Sequence, residues 1–316
     1  MHGLRRRDFL RASAGFAAVL AGCGERAAAP EARAPSPSVR AVTRVVPGAA
    51  TIEGAGVHLS RTLGGRALPD LDPFLLLDEI RSDKRSDYER GFPDHPHRGF
   101  ETVTYMIEGA MEHRDSVGNH GLLVDGSAQW MTAGHGIIHS EMPRQDSGWL
   151  HGLQLWVNLP AANKLDRPRY QDIAPRDIPE VSMEGARTRV VAGVASGVEG
   201  AVRGIVQAPT MLDVTLAAGQ TVEVPLPSTD NAFAYVLDGA AEIGPEATAV
   251  PKAALAVLGA GDGARLRGGS SGARLLLLSA KPTREPIARR GPFVMNTRAE
   301  LQQAFEDYRS GALTLL

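Results

Sequence analysis

Cysteine is nearly absent from this sequence of 316 residues: Cys23 is the only one, so no disulfide can form within the chain. Aromatic residues are also scarce, and no basic cluster occurs in the body of the chain. The formal net charge is −2, so nothing in the composition indicates a nucleic-acid partner, and we expect none. None of the nine histidines lies beyond residue 151. A histidine-based site must therefore belong to the first half of the chain.

The apolar run near the N-terminus is too short to span a bilayer and follows a group of arginines, as in a signal peptide. RRRDFLR resembles a twin-arginine export signal with Arg6 and Arg7 as the pair. LAGC resembles a bacterial lipobox, in which the cysteine, here Cys23, is lipidated. We therefore expect a signal peptide at 1–22, a flexible tether at 23–40, and an exported, periplasmic lipoprotein whose only membrane attachment is this anchor. The alternative is plain export with a cysteine inside the signal.

Glycine and proline are abundant, with 35 and 21 residues, which favours an all-β fold with many turns. The chain also contains an internal repeat. Thr104–His113 (TYMIEGAMEH) resembles Ala234–Ile243 (AYVLDGAAEI) at an offset of 130, and AGHGIIHSE from Ala133 resembles AGDGARLRG from Ala260 at an offset of 127. Two matches in the same order indicate duplication of one domain.

Each half contains short apolar runs bounded by Gly, Pro and Asp, which are typical of strands. The predicted strands are Glu101–Ile107, Leu153–Val157, Val222–Val224, Phe233–Leu237, Ala254–Leu258 and Arg274–Leu278. They predict two small antiparallel barrels joined through a polar link at Pro160–Pro179. The predicted domains are an N-terminal barrel at 41–165, a linker and C-terminal barrel at 166–285, and a tail at 286–316.

The tail contains the clearest predicted helix. Thr297-Arg-Ala-Glu300 has the pattern of a capping box. Leu301, Ala304, Phe305 and Tyr308 then recur at helical spacing, and this apolar stripe predicts packing on one of the barrels.

Two pairs of side chains have the spacing of metal ligands. His95-Pro-His97 and His139-Ser-Glu141 each place two donors at i and i+2, which face the same side of an extended strand. Three imidazoles and one carboxylate suit one divalent transition metal. The competing interpretation is a set of buried, hydrogen-bonded histidines. Pro96 cannot donate to a sheet, so this strand is predicted to lie at an edge or a bulge.

The repeat offers an internal control for these ligands. At the two offsets, each of the four positions carries a different residue in the second half: His95 corresponds to Pro225, His97 to Pro227, His139 to Leu266 and Glu141 to Gly268. A purely structural role would not predict the loss of all four together, so we expect the second barrel to be structural and free of metal.

Four segments together resemble the pirin family of bicupins. They are GFPDHPHRGFETVTYMIEG (91–109), QWMTAGHGIIHSEMP (129–143), HGLQLWVNLP (151–160) and GPFVMNTRAELQQAF (291–305). The resemblance covers about residues 41 to 311 and implies two cupin, jelly-roll-like barrels. It also implies one iron in the first barrel, held by His95, His97, His139 and Glu141, although Cu, Ni, Mn, Co and Zn suit the same ligands.

Some pirins resemble quercetin 2,3-dioxygenases, so the resemblance implies a dioxygenase that uses O₂ on a flavonol or a similar enol in the cell envelope. Glu101 shares parity with His95 and His97 and is expected to point inward. It is a candidate base, a partner that orients a ligand, or a fifth ligand, and the alternative is a salt bridge with an arginine such as Arg98. The other functional hypothesis is a metal-binding or redox-sensing protein without catalysis that binds a protein partner.

Overall fold

The computed structural model describes residues 38–145, 147–183 and 185–315. The predicted signal peptide, Cys23 and most of the predicted tether lie outside these residues. Within the described part of the chain, no helix is both long and apolar enough to cross a membrane.

Strands dominate the described residues, which end in a single α-helix, α1 Arg298–Ser310. The strands up to residue 173 are β1 Val42–Pro47, β2 Ala49–Glu53, β3 Val57–Leu63, β4 Phe74–Ser82, β5 Phe92–His97, β6 Phe100–Glu108, β7 Met111–Asp115, β8 His120–Leu123, β9 Ala128–Thr132, β10 Ile137–Pro143, β11 Leu150–Asn158 and β12 Arg169–Ile173. The later strands are β13 Glu180–Met183, β14 Ala186–Ala192, β15 Val194–Ala195, β16 Val198–Glu199, β17 Thr210–Leu216, β18 Thr221–Pro225, β19 Asn231–Ile243, β20 Thr248–Pro251, β21 Ala254–Leu258, β22 Gly263–Ala280, β23 Ala288–Arg290 and β24 Phe293–Met295. All six predicted strands are confirmed.

Two sheets form the first barrel, with strand orders β12-β9-β6-β11-β4-β3-β2 and β5-β10-β7-β8. The second barrel is one curled sheet, in the order β1-β21-β19-β22-β17-β14-β13, with β18 and β20 pairing to β22 and β19. Its long strands β19 and β22 each pair with different neighbours along their length. The predicted architecture of two tandem cupin barrels with a short C-terminal helix is confirmed.

Alternation along β6 shows how the sequence determines both faces of a sheet. Val103 and Tyr105 belong to an apolar cluster that also contains Phe233 and Leu276 of the second barrel. Met106 points the other way, into the first barrel, where it packs with Met111. The odd-numbered residues of β6 therefore face the partner barrel, and the even-numbered residues face the interior.

The predicted domain boundaries at 41 and 166 are wrong, because the halves exchange their first strands. β1 pairs with β21 in the second barrel, whereas β12 pairs with β9 in the first barrel. The predicted link therefore contains a strand. The tether also ends too late: Val39 bridges to Gly263, and the buried guanidinium of Arg40 donates to the carbonyl oxygens of Pro227, Asp230 and Gly259.

The two copies of the repeat that the sequence predicts pair their strands in the same register. Tyr105 pairs with Ala128, and its counterpart Tyr235 pairs with Leu255. The two tyrosines also make matching contacts across the barrel interface: Tyr105 donates to Asp213 Oδ2 at 2.6 Å, and Tyr235 donates to Glu79 Oε2 at 2.7 Å.

Helix α1 begins with the predicted capping box, in which Thr297 and Glu300 each bond to the other's backbone N–H. Leu301 and Ala304 are buried, whereas Phe305 is half-buried and Tyr308 is 40% exposed. The buried side packs with Phe293 and Leu313 against Ile138 of β10. The helix therefore docks on the first barrel, although it follows the second in sequence.

Candidate metal centre

Strand pairing brings the two predicted ligand pairs side by side. β5 pairs antiparallel with β10, which places His95 opposite His139 and His97 opposite Ile137. β5 is the edge strand of its sheet, as the position of Pro96 predicted. The register of this pair shifts between His139 and Glu141.

Three histidines converge at this point. One ring nitrogen from each of His95, His97 and His139 lies within 4.8 Å of the other two, and the ring centroids are 4.3–4.9 Å apart. Three nitrogens this close together could bind one metal ion. His97 and His139 are buried, and His95 is half-buried.

Hydrogen bonds hold two of these rings in the tautomer that metal binding needs. Nδ1 of His95 lies 2.9 Å from the carbonyl oxygen of Pro93, and Nδ1 of His97 lies 3.3 Å from that of Pro292. A carbonyl oxygen only accepts, so the proton of each neutral ring is on Nδ1 and Nε2 carries the free lone pair. Nδ1 of His139 faces Nδ1 of His113 at 3.4 Å.

The surroundings favour neutral, ligand-competent rings. Burial lowers the pKa of His97 well below its usual value, and neighbouring His95 lowers it further. Burial also lowers the pKa of His139 in the same way. Nε2 of His139 is buried and has no hydrogen-bond partner among the described residues. An orphaned buried nitrogen beside two imidazoles fits a transition metal held by His95, His97 and His139.

Glu141 lies on the same face of β10 as His139, but its carboxylate is not part of the three-histidine group. Oε1 accepts a hydrogen bond from Thr104 at 2.8 Å, and Oε2 accepts one from Gln154 at 2.8 Å. The role of Glu141 as a fourth ligand therefore stays a prediction. Sequence reasoning missed Thr104 and Gln154, because neither residue has ligand spacing.

The opposite sheet closes the site with aromatic side chains. The ring of His97 lies 5.0 Å from that of Phe100 and 5.2 Å from that of Trp156. These side chains project from β6 and β11 on the face that also carries Thr104 and Gln154. They provide an apolar wall beside polar groups, a composition typical of small-molecule sites.

The predicted inward orientation of Glu101 is wrong. Residues on β6 alternate, and Thr104 contacts Glu141, so Glu101 lies on the opposite face. There it is buried, accepts a hydrogen bond from Thr132 at 2.7 Å, and has its pKa raised by burial. The prediction assumed that alternation continues from His97 to Glu101. The turn at Arg98 and Gly99 separates β5 from β6, so the alternation of one strand does not extend into the other. Arg98 forms its ion pair with Asp307 instead.

The other histidines of this half differ in their positions, and the exposed His58 lies beside Asp87. His113 is buried and lies next to His139, while His135 is buried and its backbone carbonyl accepts from Arg98. His151 lies in the barrel interface, where Nε2 contacts Glu79 Oε1 at 2.8 Å. His120 is an exposed neighbour of Glu112. Sequence spacing could not reveal the contact between His113 and His139, since it depends on the pairing of β7 with β10.

The structural counterparts of the ligands in the second barrel differ from those given by the sequence offset. β18 pairs with β22 as β5 pairs with β10, which places Val222 opposite Leu266 and Val224 opposite Ala264. Val222 and Val224, rather than Pro225 and Pro227, therefore correspond to His95 and His97. The connection after β18 has five residues and that after β5 has two, so the offset changes by three.

Comparison with known proteins agrees with this architecture. The pirin family model matches residues 56–157, and the model of the pirin C-terminal cupin domain matches residues 211–314. The chain belongs to the pirin family. As in other families of this fold, the shared architecture alone does not determine the reaction.

Three known relatives of this pirin-family chain are informative. A Pseudomonas aeruginosa protein named provisionally as a quercetin 2,3-dioxygenase is 46% identical over 269 residues, which cover 83% of this chain and 94% of that protein. The crystal structure of a quercetin 2,3-dioxygenase from Acinetobacter baumannii has a TM-score of 0.81 at 31% identity and covers 87% of this chain and 99% of that one. A bacterial pirin from Escherichia coli, solved in complex with nickel(II), shares the fold with a TM-score of 0.61 at 19% identity, covering 76% and 99% of the two chains. The chain is therefore a tandem cupin similar to quercetin dioxygenases, with a three-histidine group of the kind that binds metal.

Proposed function

We propose that this protein is a metal-dependent dioxygenase resembling quercetin 2,3-dioxygenase, which uses O₂ on a flavonol or a similar enol. The observation that carries the proposal is the convergence of His95, His97 and His139 on one point inside the first barrel. Iron is the proposed metal, and the same ligands suit Cu, Ni, Mn, Co or Zn. Three ligands leave coordination positions open for substrate and O₂.

The chain's own side chains supply proton transfer and orientation. A bound metal would provide Lewis acidity and redox chemistry. Glu141 lies on the interior face and Glu101 does not, so Glu141 replaces Glu101 as the proposed acceptor of a proton from an enol hydroxyl. Thr104 and Gln154 each donate to one of its oxygens and orient it. The rings of Phe100 and Trp156 exclude water from the side of His97.

Oxygen consumption with quercetin tests the enzymatic proposal. Protein loaded with iron should consume O₂ and release carbon monoxide, and His95→Ala or Glu141→Ala should abolish both; the same assay with each of the other metals identifies which of them support turnover. A panel of flavonols and simpler enols extends the test to other substrates. Absence of turnover across the panel in protein shown to contain metal would overturn the proposal.

One observation favours the second hypothesis, a metal-binding or redox-sensing protein without catalysis that binds a protein partner. The cavity beside Glu141, lined by Phe92, Met106, Leu150 and Gln154, has a volume of only about 20 Å³. Such a space holds about one water molecule, whereas pockets for organic ligands are typically about 300 Å³ or more. A flavonol would therefore need Phe92 and its neighbours to move. Tight metal binding, a metal-dependent change in surface protection from hydrogen exchange, and no turnover would support this hypothesis.

We also propose that the protein is exported and anchored in the cell envelope only through lipid on Cys23. The support is the arginine pair, the short apolar run and the LAGC string. Expression of tagged protein in a bacterium, followed by fractionation and labelling with a fatty-acid analogue, tests this. Wild type should appear in the membrane fraction with label, and Cys23→Ser should lose both. An unlabelled protein in the cytoplasmic fraction would contradict the proposal.

A further inference from the structure

The C-terminal segment Ala288–Leu313 covers the back of the strands that carry the histidines. Phe293, Leu301, Ala304 and Leu313 form an apolar cluster against Ile138, which is the residue before His139. The backbone N–H of Val294 donates at 3.1 Å to the carbonyl oxygen of Arg98, the residue that follows His97 in sequence. A segment that follows the second barrel in sequence therefore forms a wall of the first.

One ligand takes its orientation from this segment. His95 bonds to Pro93 on its own strand, and His139 contacts His113 on the neighbouring strand. His97 instead uses the carbonyl oxygen of Pro292, 195 residues away. The tautomer and ring angle of His97 therefore depend on where the C-terminal segment sits.

An ion pair between the buried Arg98 and the half-buried Asp307 joins the segment to the residue that follows β5. Nη1 of Arg98 donates to Oδ2 of Asp307 on α1 at 2.6 Å, and Nε of Arg98 donates to the carbonyl oxygen of His135. The Arg98 side chain is 3% exposed and that of Asp307 is 19% exposed. Gln303, one helical turn earlier, donates to the other oxygen of Asp307 at 2.8 Å.

A second contact holds the same backbone together. Nζ of Lys164 donates to the carbonyl oxygens of Gly99 at 2.8 Å and of Val294 at 3.0 Å, so it links the turn after β5 to β24. Gly99 has a positive φ, and a Cβ there would collide with the Val294 carbonyl oxygen. The close approach of the two segments is therefore built into the backbone.

We propose that the C-terminal segment is a positioning element of the metal centre, in which Asp307, through Arg98, holds Pro292 where its carbonyl orients His97. The inference rests on metal binding by the three histidines and not on any particular substrate. Groups that orient a ligand histidine typically change metal affinity about 10- to 100-fold when removed. Asp307 acts through an intermediate residue, so we expect the lower end of this range.

Cobalt(II) alone is a suitable probe. The full-length protein is loaded with cobalt, and the rate at which the cobalt dissociates into excess chelator is measured. Asp307→Asn should release cobalt about tenfold faster than wild type, and Asp307→Glu should restore most of the retention. Glu306→Gln is the matched control, because Glu306 also accepts from a glutamine one helical turn earlier but is exposed. It should leave the rate unchanged.

A spectroscopic measurement separates positioning from general loosening. In proton NMR of the cobalt-loaded protein, one of the hyperfine-shifted ring N–H signals, that of His97, should exchange with solvent faster in Asp307→Asn, while the others keep the wild-type rate. If Asp307→Asn does not fold, Gln303→Ala can replace it, because it removes only one hydrogen bond to the same carboxylate. Gln303→Ala should increase the cobalt release rate and the exchange rate of the His97 ring N–H by less than Asp307→Asn would.

The outcomes are distinguishable. If wild type binds no cobalt, nickel or iron, the proposed metal function fails. If wild type binds cobalt but Asp307→Asn and Glu306→Gln release it at the same rate, with unchanged ring N–H exchange, the positioning role is overturned while the metal site stands.

Discussion

Equivalent interior positions of the two barrels carry opposite kinds of side chain. In the first barrel they are His95, His97 and His139, and in the second they are Val222, Val224 and Leu266. In the second barrel these side chains join one large apolar cluster, whereas the first barrel has a smaller cluster beside its histidines. The same pairing register can thus support either a packed core or a group of donors. The donor group therefore lies in the first barrel, whereas the matching positions of the second barrel form part of its apolar core.

The largest expected effect comes from removing a ligand at one of these equivalent positions. His139→Ala should weaken metal binding by more than about 100-fold, since it removes a direct ligand rather than a residue that orients one. Chelator competition with cobalt or iron measures this. Metal affinity that stays within a few-fold of wild type would remove His139 from the site.

The matching change in the second barrel should have the opposite result. Leu266 is fully buried, so Leu266→Ala should lower the free energy of unfolding by about 2–5 kcal/mol through lost burial and a cavity. Metal content per chain should not change. Urea unfolding and elemental analysis test the two parts, and metal loss in folded Leu266→Ala protein would show that the barrels are not independent in this respect.

Each barrel also buries a cation that donates to main-chain carbonyls, and the two cations should differ in their response to pH. Burial lowers the pKa of Lys164 to about 8, whereas a guanidinium such as that of Arg40 stays charged. Well below pH 8, Lys164 is charged in both the folded and the unfolded chain. Between about 8 and the unfolded value of 10.5, the unfolded chain binds more protons, so stability rises with pH.

Comparison with Lys164→Met isolates this effect. The free energy of unfolding of wild type relative to the variant should rise by up to about 3 kcal/mol between pH 8 and 10.5. Urea unfolding at several pH values measures it. Parallel curves for wild type and Lys164→Met would show that Lys164 does not have a depressed pKa.

The smallest expected effects concern the two tyrosines that cross the interface. Without Tyr105, Asp213 keeps both hydrogen bonds from Arg274. Without Tyr235, Glu79 keeps His151 as its partner. The Tyr105 hydroxyl also accepts from Arg189 Nη1 at 2.6 Å, and Tyr105→Phe removes that acceptor. Each variant should therefore cost about 1–3 kcal/mol. Denaturant unfolding of both variants measures the two costs, and a variant as stable as wild type would contradict this account of the interface.

Much of the fold could be predicted from local pattern. Apolar runs between Gly and Pro identified the strands, and the capping box at Thr297 identified the helix start. The exchange of β1 and β12 could not be predicted, because which sheet edge a strand joins depends on tertiary pairing. The offset of the repeat misplaced two counterparts, since a loop three residues longer leaves no trace in the matched segments.

The site divides in the same way. Spacing of two residues identified His95, His97 and His139, because alternation holds within one strand. It failed for Glu101, where parity was extended across a turn. The contact from Pro292 to His97 joins residues far apart in sequence and involves a main-chain carbonyl, so no side-chain pattern could reveal it.

Anomalous diffraction at the absorption edge of the bound metal tests the central claim most directly. Crystals of metal-loaded protein should show one strong peak per chain, about 2.0–2.2 Å from a ring nitrogen of each of His95, His97 and His139, and none in the second barrel. The distance from this peak to Glu141 would also decide whether that residue is a fourth ligand. A peak elsewhere, or no peak in protein that elemental analysis shows to contain metal, would contradict the account.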